Sequence, residues 1–372
     1  MKPALSSAAR LLTALTAALL AAAGSGCQDP FKNIEAVTVT GYMAEALLPA
    51  DREVGSWRRT GKESEVKTLT GRDFRKAFGQ EVLARTRPWG LGESVRAQYR
   101  LGETGRTMTV EIYDLNKARG AFDVYSFLRE KALGGEKPAA RVTKAGVQGL
   151  LYKPYVGFEH TGETAPDGRA VVERIYGPRP EALPAVPGQW VLVLWAERFL
   201  IAASESGGRA DAAEAALLAF GNAITAKLKQ PYELPEVYAL QVPGEAANSE
   251  RYEPGRLFRR PELPDGVTAR WQGQTGAGTL FISVAESSGE AGRRFEKLRR
   301  AANGKLTKTY AEGLFVGSLA GAGPVVCFRW GKALTGLVGA AEAEERMAAV
   351  EEIRKRCAGE VVTPAQKPEV QP

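Results

Sequence analysis

The feature that most constrains this 372-residue chain is a pattern that occurs twice. In the first half, MTVEIYD (108–114) alternates as a half-buried strand does, with Met108, Val110 and Ile112 on one face. Asn116 stands where a helix cap is needed, ahead of Ala118, Ala121, Phe122, Tyr125 and Leu128 at helical spacing. Apolar segments follow at GLLYKPYVGF (149–158), QWVLVLW (189–195) and RFLIAA (198–203). A helix over 209–228 then carries Ala213, Leu217, Phe220, Ile224 and Leu228 on one stripe.

The second half repeats this order. TLFISVAE (279–286) reads as a strand, and Ser287 with Glu290 forms a capping-box signature. Ala291, Phe295, Leu298 and Ala302 make the helical stripe. GLFVGSL (313–319), VVCFRW (325–330) and ALTGLVGAA (333–341) read as strands. The last helix, 342–357, turns Met347, Val350, Ile353 and Cys357 inward. Each copy is therefore β-α-β-β-β-α. Short connections imply mostly antiparallel sheets, and the apolar helix faces must cover them, so the expected class is α+β.

Local matches suggest an alignment. Trp195 is set against Trp330 across a short turn, and Gly149-Leu150-Leu151 against Gly313-Leu314-Phe315. Gly149 and Trp195 are 46 residues apart, whereas Gly313 and Trp330 are 17 apart, so the first copy holds an insertion at about 157–187. It contains a turn signal, Pro166-Asp167-Gly168. The expected organisation is a signal over 1–26, a tether over 27–40, and a first α+β domain over 41–228. A Pro-bearing linker over 229–235, a second domain over 236–358 and a disordered tail over 359–372 follow.

The start of the chain reads as an export signal. Lys2 and Arg10 precede an apolar run, Leu11 to Ala23, that is too short for a convincing membrane span. Gly24, Ser25, Gly26 and Cys27 then resemble the lipobox of bacterial lipoproteins, with Gly24 where that pattern has an aliphatic residue. The resemblance implies a diacylglyceryl group on Cys27, which becomes the mature N-terminus and holds the protein to a bilayer through two or more acyl chains. The other product is cleavage after Ala23, leaving an unmodified Cys27. Gln28 is not the Asp associated with inner-membrane retention in such families, which favours the outer membrane, facing the periplasm. The formal charge is +7, and +5 without Lys2 and Arg10. That excess permits weak attraction to an anionic lipid or polymer and does not indicate nucleic-acid binding.

Residues 45–130 also resemble an uncharacterised family of exported bacterial proteins. The residues that carry the likeness are Leu48-Pro49, Gly55-Ser56-Trp57, Asp73-Phe74, Phe78-Gly79, Tyr99 and VEIYDLNKARGAFDVYS (110–126). The Tyr-rich helix ending in Asn-Gly that this family often has is replaced here by GRDFRKAFGQEVL (71–83). The resemblance implies an envelope setting and no assigned activity. The strand–helix order also looks like PsbP-like α/β/α sandwiches, a likeness of fold that carries no function.

Chemistry-bearing motifs are sparse. There is one His, and neither a Walker A sequence, a G-x-S-x-G elbow nor an H-E-x-x-H helix. No catalytic residue, metal site or cofactor is expected. GQTGAGTLF (273–281) precedes a strand rather than opening a helix, so it reads as a turn and not a phosphate loop. Glu111 and Asp114, three apart on a strand, point to opposite faces. His160 reads as an exposed loop residue; an enzyme of unknown reaction using the insertion around it is the alternative function.

Two surfaces are candidates for binding. Tyr152, Tyr155, Phe158 and Tyr176 cluster in or beside the insertion, and Arg293, Lys297 and Arg300 line one helix face as an anionic contact. Cys327 and Cys357 are a candidate disulfide in an oxidising compartment, or two buried thiols. The functional expectation is a non-catalytic binding, scaffolding or sensing lipoprotein whose partners are the bilayer and an envelope protein or polymer. An accessory subunit of an envelope complex is a further alternative.

Overall fold

The computed structural model describes residues 43–60, 66–133, 141–143, 148–152, 158–164, 170–174, 190–228, 234–307 and 313–357. The leader, the tether through 40 and the tail 359–372 lie outside them. The first part comprises α1 (Ala44–Leu47), β1 (Trp57–Arg59), β2 (Lys67–Leu69), α2 (Gly71–Thr86), β3 (Ser94–Leu101), β4 (Thr107–Asp114) and α3 (Ala118–Leu133). It continues with β5 (Arg141–Thr143), β6 (Gln148–Tyr152), β7 (Phe158–Thr164), β8 (Ala170–Arg174), β9 (Trp190–Ala196), β10 (Phe199–Ser206) and α4 (Ala210–Ala226). The second part comprises α5 (Pro235–Leu240), β11 (Arg251–Glu253), β12 (Gly266–Gln272), β13 (Ala277–Val284), α6 (Ser288–Ala301), β14 (Lys305–Thr307), β15 (Leu314–Leu319), β16 (Gly323–Trp330), β17 (Ala333–Gly339) and α7 (Ala343–Cys357).

These elements form two large antiparallel sheets with the same connectivity, and the fold is α+β as the patterning requires. The first sheet runs β1-β3-β4-β10-β9-β6-β5, with β2 also on β3; the second runs β11-β12-β13-β17-β16-β15-β14. β7 and β8 form a separate hairpin in the insertion. Equivalent positions make equivalent bonds. The Leu115 amide donates to the Arg198 carbonyl at 2.9 Å, and the Ala285 amide to the Lys332 carbonyl at 2.9 Å. The Tyr99 hydroxyl donates to the Pro49 carbonyl at 2.9 Å, and the Trp271 indole to the Pro243 carbonyl at 2.9 Å.

The pairing moves the alignment by one residue. Ala196 pairs with Phe199 around Glu197-Arg198, and Trp330 pairs with Ala333 around Gly331-Lys332. Ala196, not Trp195, is thus equivalent to Trp330. The same shift sets Gly149, opposite Leu194, against Leu314, opposite Phe328. A one-residue slip exchanges sheet faces. The first turn position is left-handed in both copies, φ 49° at Glu197 and 55° at Gly331, and only the second copy has the glycine that marks such a turn.

Burial assigns the faces. Leu217, Phe220 and Ile224 of α4 cover one side of the first sheet with Ile112, Leu194 and Ile201. Ala291, Phe295 and Leu298 of α6 cover one side of the second with Phe281, Cys327 and Leu334. The two remaining faces share a central core, in which α2 and α3 from the first part meet α5 and α7 from the second. These two inner faces are not equivalent in the repeat, since Leu200 lies in the central core and its counterpart Leu334 in the outer one. The units therefore stack face to back rather than about a two-fold axis.

Helix α3 buries its expected stripe at Ala121, Phe122, Tyr125 and Leu128 and goes further: every residue from Gly120 to Arg129 is buried, because the helix is covered by a sheet on one side and the second unit on the other. Among the described residues no helix is long and apolar enough to cross a membrane.

Candidate functional site at the seam

Helix α3 has polar residues where a helix packed on all sides has nowhere to hide them, and the seam is built around satisfying them. Asp123 is fully buried; it pairs with Arg85 of α2 and accepts the Trp89 indole N–H at 3.0 Å. Burial holds its carboxyl above the usual carboxylate range, against the pull of Trp89 and Arg85. Trp89 in turn stacks edge-on to Tyr252 of β11, centroids 5.3 Å apart. The close approach of its ring to Gly120 leaves no room for a Cβ there, 2.8 Å from the indole. Ser126 accepts the Tyr252 amide at 3.3 Å, which ties α3 directly to the edge strand of the second sheet.

Three arginines flank this contact with four ion pairs. Arg119 meets the Glu236 carboxylate of α5 through Nε at 2.8 Å and Nη2 at 2.5 Å. Arg129 meets Glu250 at 3.4 Å, with both side chains almost fully buried. Arg251 bridges Glu130 of α3 and Glu253 of its own strand, each at 2.9 Å. Beside them, burial pushes the Glu245 carboxyl up to about 7, helped by the charge of Glu250 and opposed by the Ser249 hydroxyl that donates to it at 2.8 Å.

Above this layer a groove of about 350 Å³ opens to solvent, lined by Arg85, Phe127, Glu130, Arg251, Tyr252 and Arg256 among others. The Arg85 guanidinium lies 4.3 Å from the Phe127 ring centroid, a cation–π contact that fixes both at the groove wall. Guanidinium planes, an aromatic wall and two carboxylates in one concave site can orient a polar ligand or peptide.

None of the candidate site residues singled out from sequence is among the described residues that line it. Tyr152 lies in β6 opposite Val191, and Phe158 in β7 opposite Arg174. Tyr155 and Tyr176 lie outside the described residues, as does Cys27. His160 is in strand β7, opposite Val172, and not in a loop, because the insertion folds into its own hairpin. Arg293, Lys297 and Arg300 are exposed on α6 as the spacing requires, while Arg294 pairs with Glu290 and Arg299 with Glu296.

Cys327 and Cys357 are not bonded to each other. Cys327 is buried under α6 and Cys357 in the central core, on opposite sides of the second sheet, so the sheet itself separates the sulfurs. Burial pushes the Cys327 thiol far up.

Asn116 does not cap α3; it is left-handed, φ 61°, and donates from Nδ2 to the Trp89 carbonyl at 3.0 Å. Ser287 does cap α6, accepting the Glu290 amide at 3.2 Å. The glycine-rich stretch is a turn, with the Gly273 amide on the Gly276 carbonyl at 2.9 Å. Its amides at Gln274 and Thr275 hold the Glu345 carboxylate of α7, so the anion in this cradle is the protein's own. Glu111 is taken by Arg96, and Asp114 by Arg198 at 3.0 Å. Among the described residues no three His, Cys, Asp or Glu side chains are grouped to hold a metal ion.

The seam residues were not legible one by one. The available signal was the polar set Asp123, Ser126 and Arg129 inside a helix whose neighbours are aromatic and aliphatic. The chain matches no protein-family model, no curated protein and no solved structure at a significant level.

Proposed function

We propose that this chain is an exported bacterial cell-envelope protein, lipid-anchored at Cys27, that binds a partner at the seam groove without carrying out chemistry on it. The export and anchoring part rests on the basic start, the short apolar run and the small residues before Cys27. The outer membrane facing the periplasm is the site this reading favours.

The observation that supports binding is the composition of the groove. Its wall residues are held by pairs on their buried side, Arg85 by Asp123 and Tyr252 by Asp265 at 2.7 Å. Their outer faces, and Arg256 at the rim, remain for contact. A rigid aromatic and guanidinium surface loses little entropy when it is covered. The repeated connectivity supports a single module copied once, with the second copy recruited to form the other wall of the groove.

Site-directed photo-cross-linking in the native envelope tests this. With a photoreactive residue at 256, a discrete adduct is expected that is missing when the same residue stands at 293. Equal labelling at the two positions, or none at 256, contradicts the groove as the binding face.

A further inference from the structure

A second concave site lies at the end of the first sheet, where β1 meets the last residues of β3. It is a pocket of about 680 Å³ lined by Arg52, Arg58, Arg59 and Arg100 with Ser56 and Thr60. Arg58 and Arg100 are directly opposite each other in the antiparallel ladder. Like charges in that position repel, and ordinary sheets avoid them. Among the described residues, Arg52, Arg58 and Arg100 have exposed side chains with no ion pair or hydrogen bond from the guanidinium.

Two of the nearby acids are engaged elsewhere. Glu53 accepts the Ala50 amide at 2.6 Å and pairs with Lys227 at 2.9 Å; Asp51 accepts the Arg59 amide at 2.8 Å. Arg59 itself is fixed, donating to the Pro49 and Leu48 carbonyls at 3.1 and 3.2 Å.

The backbone around the pocket is unusual as well. Arg52 is left-handed, φ 64°, a conformation a long side chain adopts at a cost. Gly55 and Gly102 are also left-handed, and a Cβ at either would meet nothing within 4 Å, so the mouth is open. A turn that strains one arginine to bring it beside three others gathers positive charge where the fold alone gains nothing from it.

We propose that this pocket binds the phosphate of an anionic phospholipid headgroup at the bilayer surface. Guanidinium groups match phosphate oxygens in paired hydrogen bonds, and an anion between Arg58 and Arg100 removes their repulsion. The membrane as source rests on the anchoring at Cys27 proposed above. Residues 28–42 separate that cysteine from the described fold, a reach of at most about 54 Å at ~3.6 Å per residue. The pocket begins ten residues later, at Arg52, so an anchored chain holds it within range of headgroups.

The test uses the full chain carrying Cys27→Ser, which cannot be acylated, in co-sedimentation with phosphatidylglycerol-containing vesicles and with phosphatidylcholine vesicles. Preference for the anionic vesicles is expected, weakened about tenfold or more by Arg58→Ala/Arg100→Ala and little changed by Arg293→Ala/Lys297→Ala/Arg300→Ala. The pocket variant should melt no lower than its parent, because it loses a repulsion and no contact.

Equal loss in the two multiple variants would mean a diffuse charge effect and overturn the proposal. So would the absence of anionic preference, binding of inorganic phosphate without any vesicle preference, or a pocket variant that melts lower. Anchoring is read separately, by fractionating cells that express the wild type and Cys27→Ser, so either idea can fail alone.

Discussion

Arg129 and Glu250, 121 residues apart in the chain, form an ion pair at 3.4 Å whose side chains are only 2% and 3% exposed. Arg129 also donates to the Glu250 main-chain carbonyl, so one side chain both neutralises a buried carboxylate and closes the backbone of the neighbouring unit.

Arg129→Met is expected to lower stability by about 3–5 kcal/mol, because it strands Glu250 in a dry site. Arg129→Met/Glu250→Leu should recover most of that loss, since an apolar pair of similar volume carries no desolvation penalty. Urea unfolding of the wild type, both single variants and the double variant measures this as a cycle. A cost below about 1 kcal/mol for Arg129→Met would show that the seam is open to water.

The acid beside that pair gives the seam a pH dependence of definite sign. Glu245 has a folded pKa raised to about 7 from 4.5, so the folded state binds the extra proton between those values. Its contribution to stability is therefore favourable at low pH, starts to be lost as pH rises above about 4.5, and is fully lost above about 7. Asp114 and Asp123 shift in the same direction, so the group must be isolated by difference. Glu245→Gln should be more stable than the wild type at pH 8 by roughly 1 kcal/mol, after discounting for its partial exposure, and the gap should close by pH 5. A gap that is constant with pH would contradict the assignment.

Helix α2 is broken at Gly79, where φ is 87° and ψ 173°. That conformation is open almost only to glycine, and it allows Phe74, Phe78 and Val82 all to reach the core across the kink. Gly79→Ala should cost about 1–3 kcal/mol. Gly71→Ala, at the first turn of the same helix, should be close to neutral, since its Cβ would touch only Leu91 at 3.8 Å. Thermal melts of the two variants provide the comparison, and equal effects would contradict the kink.

Much of the fold was legible because periodicity reports which face is covered. The strand at MTVEIYD, the stripe Ala291-Phe295-Leu298, and the last helix with Val350, Ile353 and Cys357 all lie where their spacing puts them. The hairpin register was not legible, because Glu197 occupies a left-handed turn position that sequence propensity assigns to glycine or asparagine. Both candidate sites were hidden for a different reason. Arg58 and Arg100 are brought together only by the β1–β3 register, and Asp123, Ser126 and Arg129 look like a solvated helix face until a second unit covers them. Local pattern carries no record of pairing at such separations, and it cannot distinguish polar residues facing water from polar residues facing each other.

The central claim is that this fold is carried at the end of a lipid anchor, and the mass of the mature N-terminal peptide from membranes of producing cells tests it most directly. The account predicts a chain beginning at Cys27 whose mass exceeds the unmodified peptide by a diacylglyceryl group, with or without a further acyl chain. An unmodified chain beginning at Gly24, or one still carrying Leu11 to Ala23, would contradict it.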